Sequence, residues 1–113
     1  MRDFDKTFRK LELSDATWEK LLKVEAQFLL KPNKLGAFLR KLKPVEKLSE
    51  VEALVEVEYL VKNALHHQKW YYRVSQSLIP DYCYDQLEGR IDQLQERFPQ
   101  HFAPDNPWNL PGY

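Results

Sequence analysis

The chain has 113 residues, with 17 Lys/Arg balanced by 17 Asp/Glu, so its formal net charge is zero. That length holds one domain with a modest core, and an apolar content of 43% with 13% aromatics excludes a disordered chain. The single cysteine, Cys83, permits no intramolecular disulfide, the charged opening Met1–Lys10 is not a secretory leader, and no apolar run reaches membrane-spanning length, so a cytoplasmic protein without a membrane partner is expected.

Charge is unevenly shared along the chain. Residues 1–47 hold twelve Lys/Arg against seven Asp/Glu, and residues 48–113 hold five against ten. A basic half could face nucleic acid or an acidic partner, but attraction between the two halves, or ordinary solvated faces, is the simpler expectation.

Only three glycines, with abundant Leu, Glu, Lys and Gln, favour helix over sheet, and the expected fold is all-α with about four helices. Residues 1–12, with scattered Phe4, Phe8 and Leu11, read as a partly ordered lead-in. Ser14 is a good N-cap, Leu13 and Trp18 are placed as a hydrophobic staple, and Trp18, Leu21, Leu22, Phe28 and Leu29 predict one buried stripe on a helix over about 14–31. Lys31-Pro32 ends that helix, and Asn33 can cap a shorter one over about 33–43 that carries Leu35, Phe38, Leu39 and Leu42. Its basic residues Lys34, Arg40, Lys41 and Lys43 match no nucleic-acid motif, so any contact with nucleic acid is expected to be weak or indirect.

The longest pattern follows. Ser49 and Glu52 form a capping box, and helical spacing then runs to about Ser75. Ala53, Val57, Leu60, Ala64, His67, Tyr71 and Val74 share one face, which Leu54, Val61 and Leu65 widen, so this helix should be central. His67 on that stripe reads as a hydrogen-bonded core residue rather than a ligand. Gln76–Ile79 is a turn, Asp81 after Pro80 is placed as an N-cap, and Leu87, Ile91, Leu94 and Phe98 predict a second arm of a hairpin over about 81–98, with Gly89 allowing close packing. From Pro99 the chain has four prolines in thirteen residues and no periodicity, which reads as an extended tail.

The chemistry is concentrated in Trp70–Leu87, WYYRVSQSLIPDYCYDQL. Asp81, Tyr84 and Asp85 stand at i, i+3 and i+4 and so share one face of the first turn of their helix. Both carboxylates are also what a helix N-terminus favours for its own stability. Together with Trp70, Tyr71 and Tyr72 arriving from the preceding helix, they could hold a flat, positively charged nitrogen ring by stacking, cation–π attraction and hydrogen bonds to amide or ribose groups. No glycine-rich phosphate loop, metal-ligand spacing or Ser/His/Asp arrangement occurs, so no catalytic or metal residue is expected. His66 and His67 are adjacent and point in different directions, and Cys83 reads as incidental.

These residues carry a resemblance. Tyr71-Tyr72, then Ile79-Pro80-Asp81-Tyr82-Cys83-Tyr84-Asp85-Gln86-Leu87, Phe98-Pro99, Pro104-Asp105-Asn106-Pro107 and Gly112 follow in order without a gap. Residues from about Leu65 to Gly112 thereby resemble the small N-terminal helical domain, domain Ia, of bacterial NAD-dependent DNA ligases. The resemblance implies a domain that grips the nicotinamide mononucleotide half of NAD+ and folds over an adenylation domain, whose lysine attacks the adenylyl phosphate. It further implies that Tyr71 and Tyr84 sandwich the nicotinamide, that Tyr72 lies near the mononucleotide phosphate or ribose, and that Asp81 and Asp85 hydrogen-bond the carboxamide and ribose. The chain departs from the family at Arg73, usually apolar, at Asn106, usually Ser, and at Trp108-Asn109-Leu110-Pro111 before the glycine.

No Lys-x-Asp-Gly occurs in the sequence, so these residues alone cannot seal DNA. The expected organisation is a helical extension over 1–48 and a ligase-like hairpin with tail over 49–113. Three functions are compatible with it. The first is a nicotinamide-nucleotide-binding module acting with a separate ligase core. The second is a non-enzymatic interaction protein that docks on and modulates a partner such as a ligase, and the third is a domain that kept the fold and lost the ligand.

Overall fold

A computed structural model describes residues 13–109 of the chain. The lead-in expected over residues 1–12, and residues 110–113 with Gly112, lie outside the described residues. Four helices form, α1 (Asp15–Glu25), α2 (Pro32–Arg40), α3 (Glu50–Val74) and α4 (Asp81–Arg97), with short 3-10 turns between and after them. Among the described residues there is no strand, as the composition predicts.

Ser14 caps α1 as expected, its hydroxyl accepting from the Thr17 N–H at 3.2 Å. The helix is shorter than predicted: it gives way to a 3-10 turn at Ala26–Phe28, and Lys31 is extended ahead of Pro32. The predicted stripe is also narrower. Leu22 is buried and Trp18 half-buried, but Leu21 is 50% and Phe28 77% exposed. The cause is geometric: α1 rests mainly on α3, and a helix with a single long neighbour covers only a narrow arc of its surface. In α2, Lys31 rather than Asn33 is the N-cap, because Pro32 takes the first helical position, where its missing N–H costs nothing. Leu35 is fully buried, and α2 packs on α4.

The capping box of α3 is complete: the Ser49 hydroxyl accepts from the Glu52 N–H at 3.1 Å, and the Glu52 carboxylate accepts from the Ser49 N–H at 2.9 Å. With a Lys43 ammonium 2.8 Å away and these Ser49 hydrogen bonds, the Glu52 carboxyl is held down to about 2. Lys43–Glu52 joins the basic half to the acidic half, yet both groups are well exposed, so it contributes little. At about 1.5 Å per residue, the 25 residues of α3 span the whole domain. Ala53, Val57, Leu60, Val61, Ala64, Leu65, His67 and Val74 are buried as their spacing predicts. Leu54 and Tyr71 are the exceptions, lying on the surface at 39% and 44% exposure.

α4 begins one residue earlier than an Asp81 cap would place it: Pro80 is the N-cap, and Asp81 is the first helical residue. Leu87, Ile91 and Leu94 face α3 and are fully buried, with Phe98 packed beside them. Gly89 brings no close approach, since a Cβ there would meet nothing within 4 Å. The two arms are fastened instead by Arg90, whose Nε and Nη2 donate to the two Glu56 oxygens at 2.6 and 3.0 Å in a largely buried fork.

The tail is not merely extended. It folds back through 3-10 turns at Pro99–His101 and Pro107–Asn109, and Phe102 and Trp108 enter the main core. Asn106 serves this turn: its side-chain oxygen accepts from the Trp108 N–H at 2.9 Å.

At the far end of α3, burial extends to polar residues. His66 Nδ1 lies 2.7 Å from a Glu25 oxygen, and Lys69 lies 3.6 Å from the other. Burial alone would raise the Glu25 carboxyl, but the His66 hydrogen bond and the Lys69 charge leave it below its usual range. His67 is pushed down to about 4, first by burial and then by its neighbour His66.

Three outcomes follow for stability. Trp108→Ala should cost about 3–5 kcal/mol in denaturant unfolding, as for any buried tryptophan, whereas removing a residue of an unattached tail would cost nothing. Ser75 has φ 61°, so Ser75→Gly should raise stability by up to about 1 kcal/mol in the same assay. The third outcome concerns pH. His67 titrates at about 4 when folded against about 6.5 unfolded, so between those values the unfolded chain binds more protons. Stability should therefore hold above pH 6.5 and fall as pH drops from 6.5 to 4, and His67→Gln should flatten that part of a melting-temperature profile.

Candidate functional site

The end of the hairpin is built by local rules. Ser75 takes the left-handed conformation, and the N–H groups of Ser75 and Gln76 both turn back to the Trp70 carbonyl. The Ser77 hydroxyl donates to the Ile79 carbonyl at 2.9 Å, and Ile79 is buried. The Pro80 carbonyl then accepts from the Cys83 and Tyr84 N–H groups at 3.0 and 3.2 Å and starts α4. This short connection places the last turn of α3 beside the first turn of α4.

Of the residues singled out in the sequence, four lie at the surface or partly open to it. Tyr71 is 44% exposed, and its ring meets the half-buried Tyr72 edge-to-face, with centroids 4.9 Å apart. Asp81 and Asp85 are exposed on the first turns of α4, where the helix dipole favours negative charge. The fifth is different. Tyr84 has no exposed surface, and Gln68 Nε2 donates to its hydroxyl at 2.5 Å. The sandwich of Tyr71 and Tyr84 therefore does not stand in this structure, because the Tyr84 ring faces inward with Leu87 and Ile91 rather than outward with Asp81 and Asp85.

Gln68 stands outside the stripe that the spacing of α3 predicts, yet it belongs to this end of the hairpin. It is buried at a four-residue step beyond Leu60 and Ala64, and a polar side chain continuing an apolar row is the signal that it needs a specific partner. Tyr82, at 68% exposure, and Leu78, at 38%, add apolar surface to the same end of the hairpin. Trp70 and Arg73 are buried on the other side of α3, under α1, where the Arg73 guanidinium carbon lies 5.3 Å from the centroid of the Trp18 ring. Cys83 is buried and its thiol is pushed up by desolvation, against the pull of Arg40, which makes it a poor nucleophile.

The arrangement is an open surface rather than a cavity. A groove of about 380 Å³ lined by His66, His67, Trp70, Gln76 and Leu78 lies between α1 and this end of α3, and none of the five singled-out residues lines it. What the surface offers is an aromatic face and two carboxylates that accept hydrogen bonds and attract positive charge. Among the described residues no group of three or more His, Cys, Asp or Glu is placed to hold a metal, and no helix is long and apolar enough to cross a membrane.

Comparison with known proteins gives the hairpin and tail a family. The chain is 39% identical over 64 residues to a DNA ligase of Leuconostoc mesenteroides, an alignment that covers 57% of this chain and 9% of the ligase. The chain thus spans about a tenth of the length of that relative. No solved structure matches it significantly. The family of the DNA ligase-like, N-terminal NAD+-binding domain matches residues 50–109, which takes in α3, α4 and the folded tail and leaves α1 and α2 outside. With more than half its length matched, including every residue of the aromatic and acidic surface, the chain belongs to the family of DNA ligase-like, N-terminal NAD+-binding domains.

Proposed function

We propose that the hairpin end binds the nicotinamide mononucleotide half of NAD+ and presents it to a ligase adenylation core that is not contained in these 113 residues. The observation that carries this reading is the exposure of Tyr71 on the last turn of α3 and of the carboxylates Asp81 and Asp85 on the first turns of α4, within a family described as NAD+-binding. When bound, NAD+ supplies the adenylyl group that a ligase lysine accepts. Tyr71 stacks on the nicotinamide, Tyr72 lies toward the ribose or phosphate, and Asp81 and Asp85 accept hydrogen bonds from the carboxamide and ribose. Tyr84 supports the site from below by tying α4 to Gln68. The reactive lysine comes from elsewhere, since no Lys-x-Asp-Gly occurs in the sequence.

A site formed on one side only is a weak site. Association costs several kcal/mol before any contact is counted, and a millimolar Kd corresponds to only about −4 kcal/mol. The measurement is an NMR titration of the labelled chain with nicotinamide mononucleotide and, separately, AMP. Shifts centred on Tyr71, Tyr72, Asp81 and Asp85 with the mononucleotide alone are expected. Tyr71→Ala and Asp85→Ala should each weaken binding about tenfold, or about 1.4 kcal/mol, with little change in melting temperature, because both side chains lie at the surface. Added to a ligase that lacks its own N-terminal domain, the chain should restore NAD+-dependent self-adenylation. No shift at several millimolar ligand, together with no restoration, would retire the proposal.

A second reading, docking on a partner protein, draws on a separate observation. Leu21, Val24 and Phe28 form an exposed apolar row on the outer side of α1 and its 3-10 extension. If a ligase core docks there, Phe28→Asp should abolish its capture while leaving the mononucleotide titration unchanged.

A further inference from the structure

The apolar side chains of the domain fall into two clusters. The main one unites α2, α3, α4 and the folded tail, and its last member on α3 is Leu65. The second is small, formed by Leu22, Trp70 and Val74 with Trp18 packed against it, and it joins α1 to the last turns of α3. From His66 to Val74 the apolar anchorage of α3 is therefore provided by α1. This is the segment that carries Tyr71 and Tyr72.

Of the polar contacts of this stretch, that of Gln68 reaches Tyr84 of α4, and those of His66 and Arg73 lead to α1. Trp70 Nε1–H donates to His66 Nε2 at 3.2 Å, so His66 carries its proton on Nδ1, which donates to Glu25 of α1 at 2.7 Å. Arg73, placed where the family usually has an apolar residue, lies under the Trp18 ring at 5.3 Å. Residues on either side of the tyrosine pair are thus fastened to α1. At about 100° per residue, the tyrosines point well away from Trp70, out of the arc that α1 covers. The helix then stops at Ser75, a left-handed non-glycine residue of the kind that costs about 1 kcal/mol or more and persists only where its surroundings hold it. α1 itself lies outside the segment matched by the family.

We infer that α1 is a positioning element of the nucleotide site: Trp18, through Arg73 and Trp70, holds the last two turns of α3 so that Tyr71 and Tyr72 are presented in fixed directions. A helix end held in this way binds without first being ordered, and affinity rises by the ordering cost avoided. The inference rests on the site proposed above, and the experiment separates the two. Wild type, Trp18→Ala and Trp18→Phe are each titrated with nicotinamide mononucleotide, and their amide hydrogen exchange is mapped. Phe keeps an aromatic face for Arg73 and loses no hydrogen bond, since the Trp18 indole N–H makes none with the described residues.

With wild type binding, Trp18→Ala should raise Kd at least fivefold and speed exchange at residues 71–76, leaving residues 53–65 unchanged, and Trp18→Phe should restore both to within about twofold. A merely structural role would slacken the whole domain and spare no segment. If wild type binds and Trp18→Ala binds equally well, the inference is overturned and the site stands. If wild type does not bind, the site proposal falls. Exchange then decides what remains of the inference: selective loosening of residues 71–76 keeps α1 as the support of the helix end, and uniform or absent loosening removes it.

Discussion

Residues 63–68 of α3 are buried without a break, and four of the six, Asn63, His66, His67 and Gln68, are polar. A helix enclosed on every side must satisfy each such group internally or bear the desolvation cost of about 1–3 kcal/mol apiece. The remainder of the domain meets that demand in part: Asn63 Oδ1 and His67 Nδ1 have no partner among the described residues, so the hydrogen bond expected of His67 as a core residue is missing at that nitrogen. Asn63 donates to the Tyr59 carbonyl at 2.8 Å within its own helix. Gln68 reaches across to Tyr84 of α4, and His66 reaches the other way to Glu25 of α1. Each of the two last contacts pins a different neighbour to the same short stretch of α3, so α1 and α4 are held on different sides of the helix that carries Tyr71.

This arrangement explains a division of labour between nearby aromatic residues. Tyr84 is part of the fastening, with its hydroxyl engaged and its ring in the core, whereas Tyr71 stays at the surface. Trp70 is buried under α1 and bonded to His66, and it serves the second small cluster rather than the surface. Three aromatic residues within one short hairpin therefore do three different things, according to which neighbour each helix arc meets. The acidic pair Asp81 and Asp85 remains outside because it lies on a different arc of α4 from Cys83, Tyr84 and Leu87, which enter the main core.

Much of this was readable in the chain. The capping box at Ser49 and Glu52, the Ser14 cap, the turn at Gln76–Ile79 and the stripes of α3 and α4 all rest on contacts within a few residues, and the structure has them. The structure departs from the spacing where burial depends on a distant neighbour. Leu21, Leu54 and Phe28 have the right spacing for burial and are exposed, because nothing among the described residues packs over them. Asp81 yields the cap to Pro80, and Gly89 marks no close approach. The proline-rich tail carries no period to read, and only the space left beside the core shows why Phe102 and Trp108 return to it.

By itself the sequence determined the helices, their caps, the central place of α3 and the family to which residues 50–109 belong, since propensity, periodicity and motif order are properties of neighbouring residues. The tertiary structure alone decided which face of each helix finds a partner. It turned Tyr84 inward and left Tyr71 out, gave Gln68 and His66 their distant partners, and set α1 against Trp70 and Val74. The reason is that exposure is not a property of a residue or its spacing: it is fixed by what packs across from it, and the partners here lie 16 and 41 residues away in the chain.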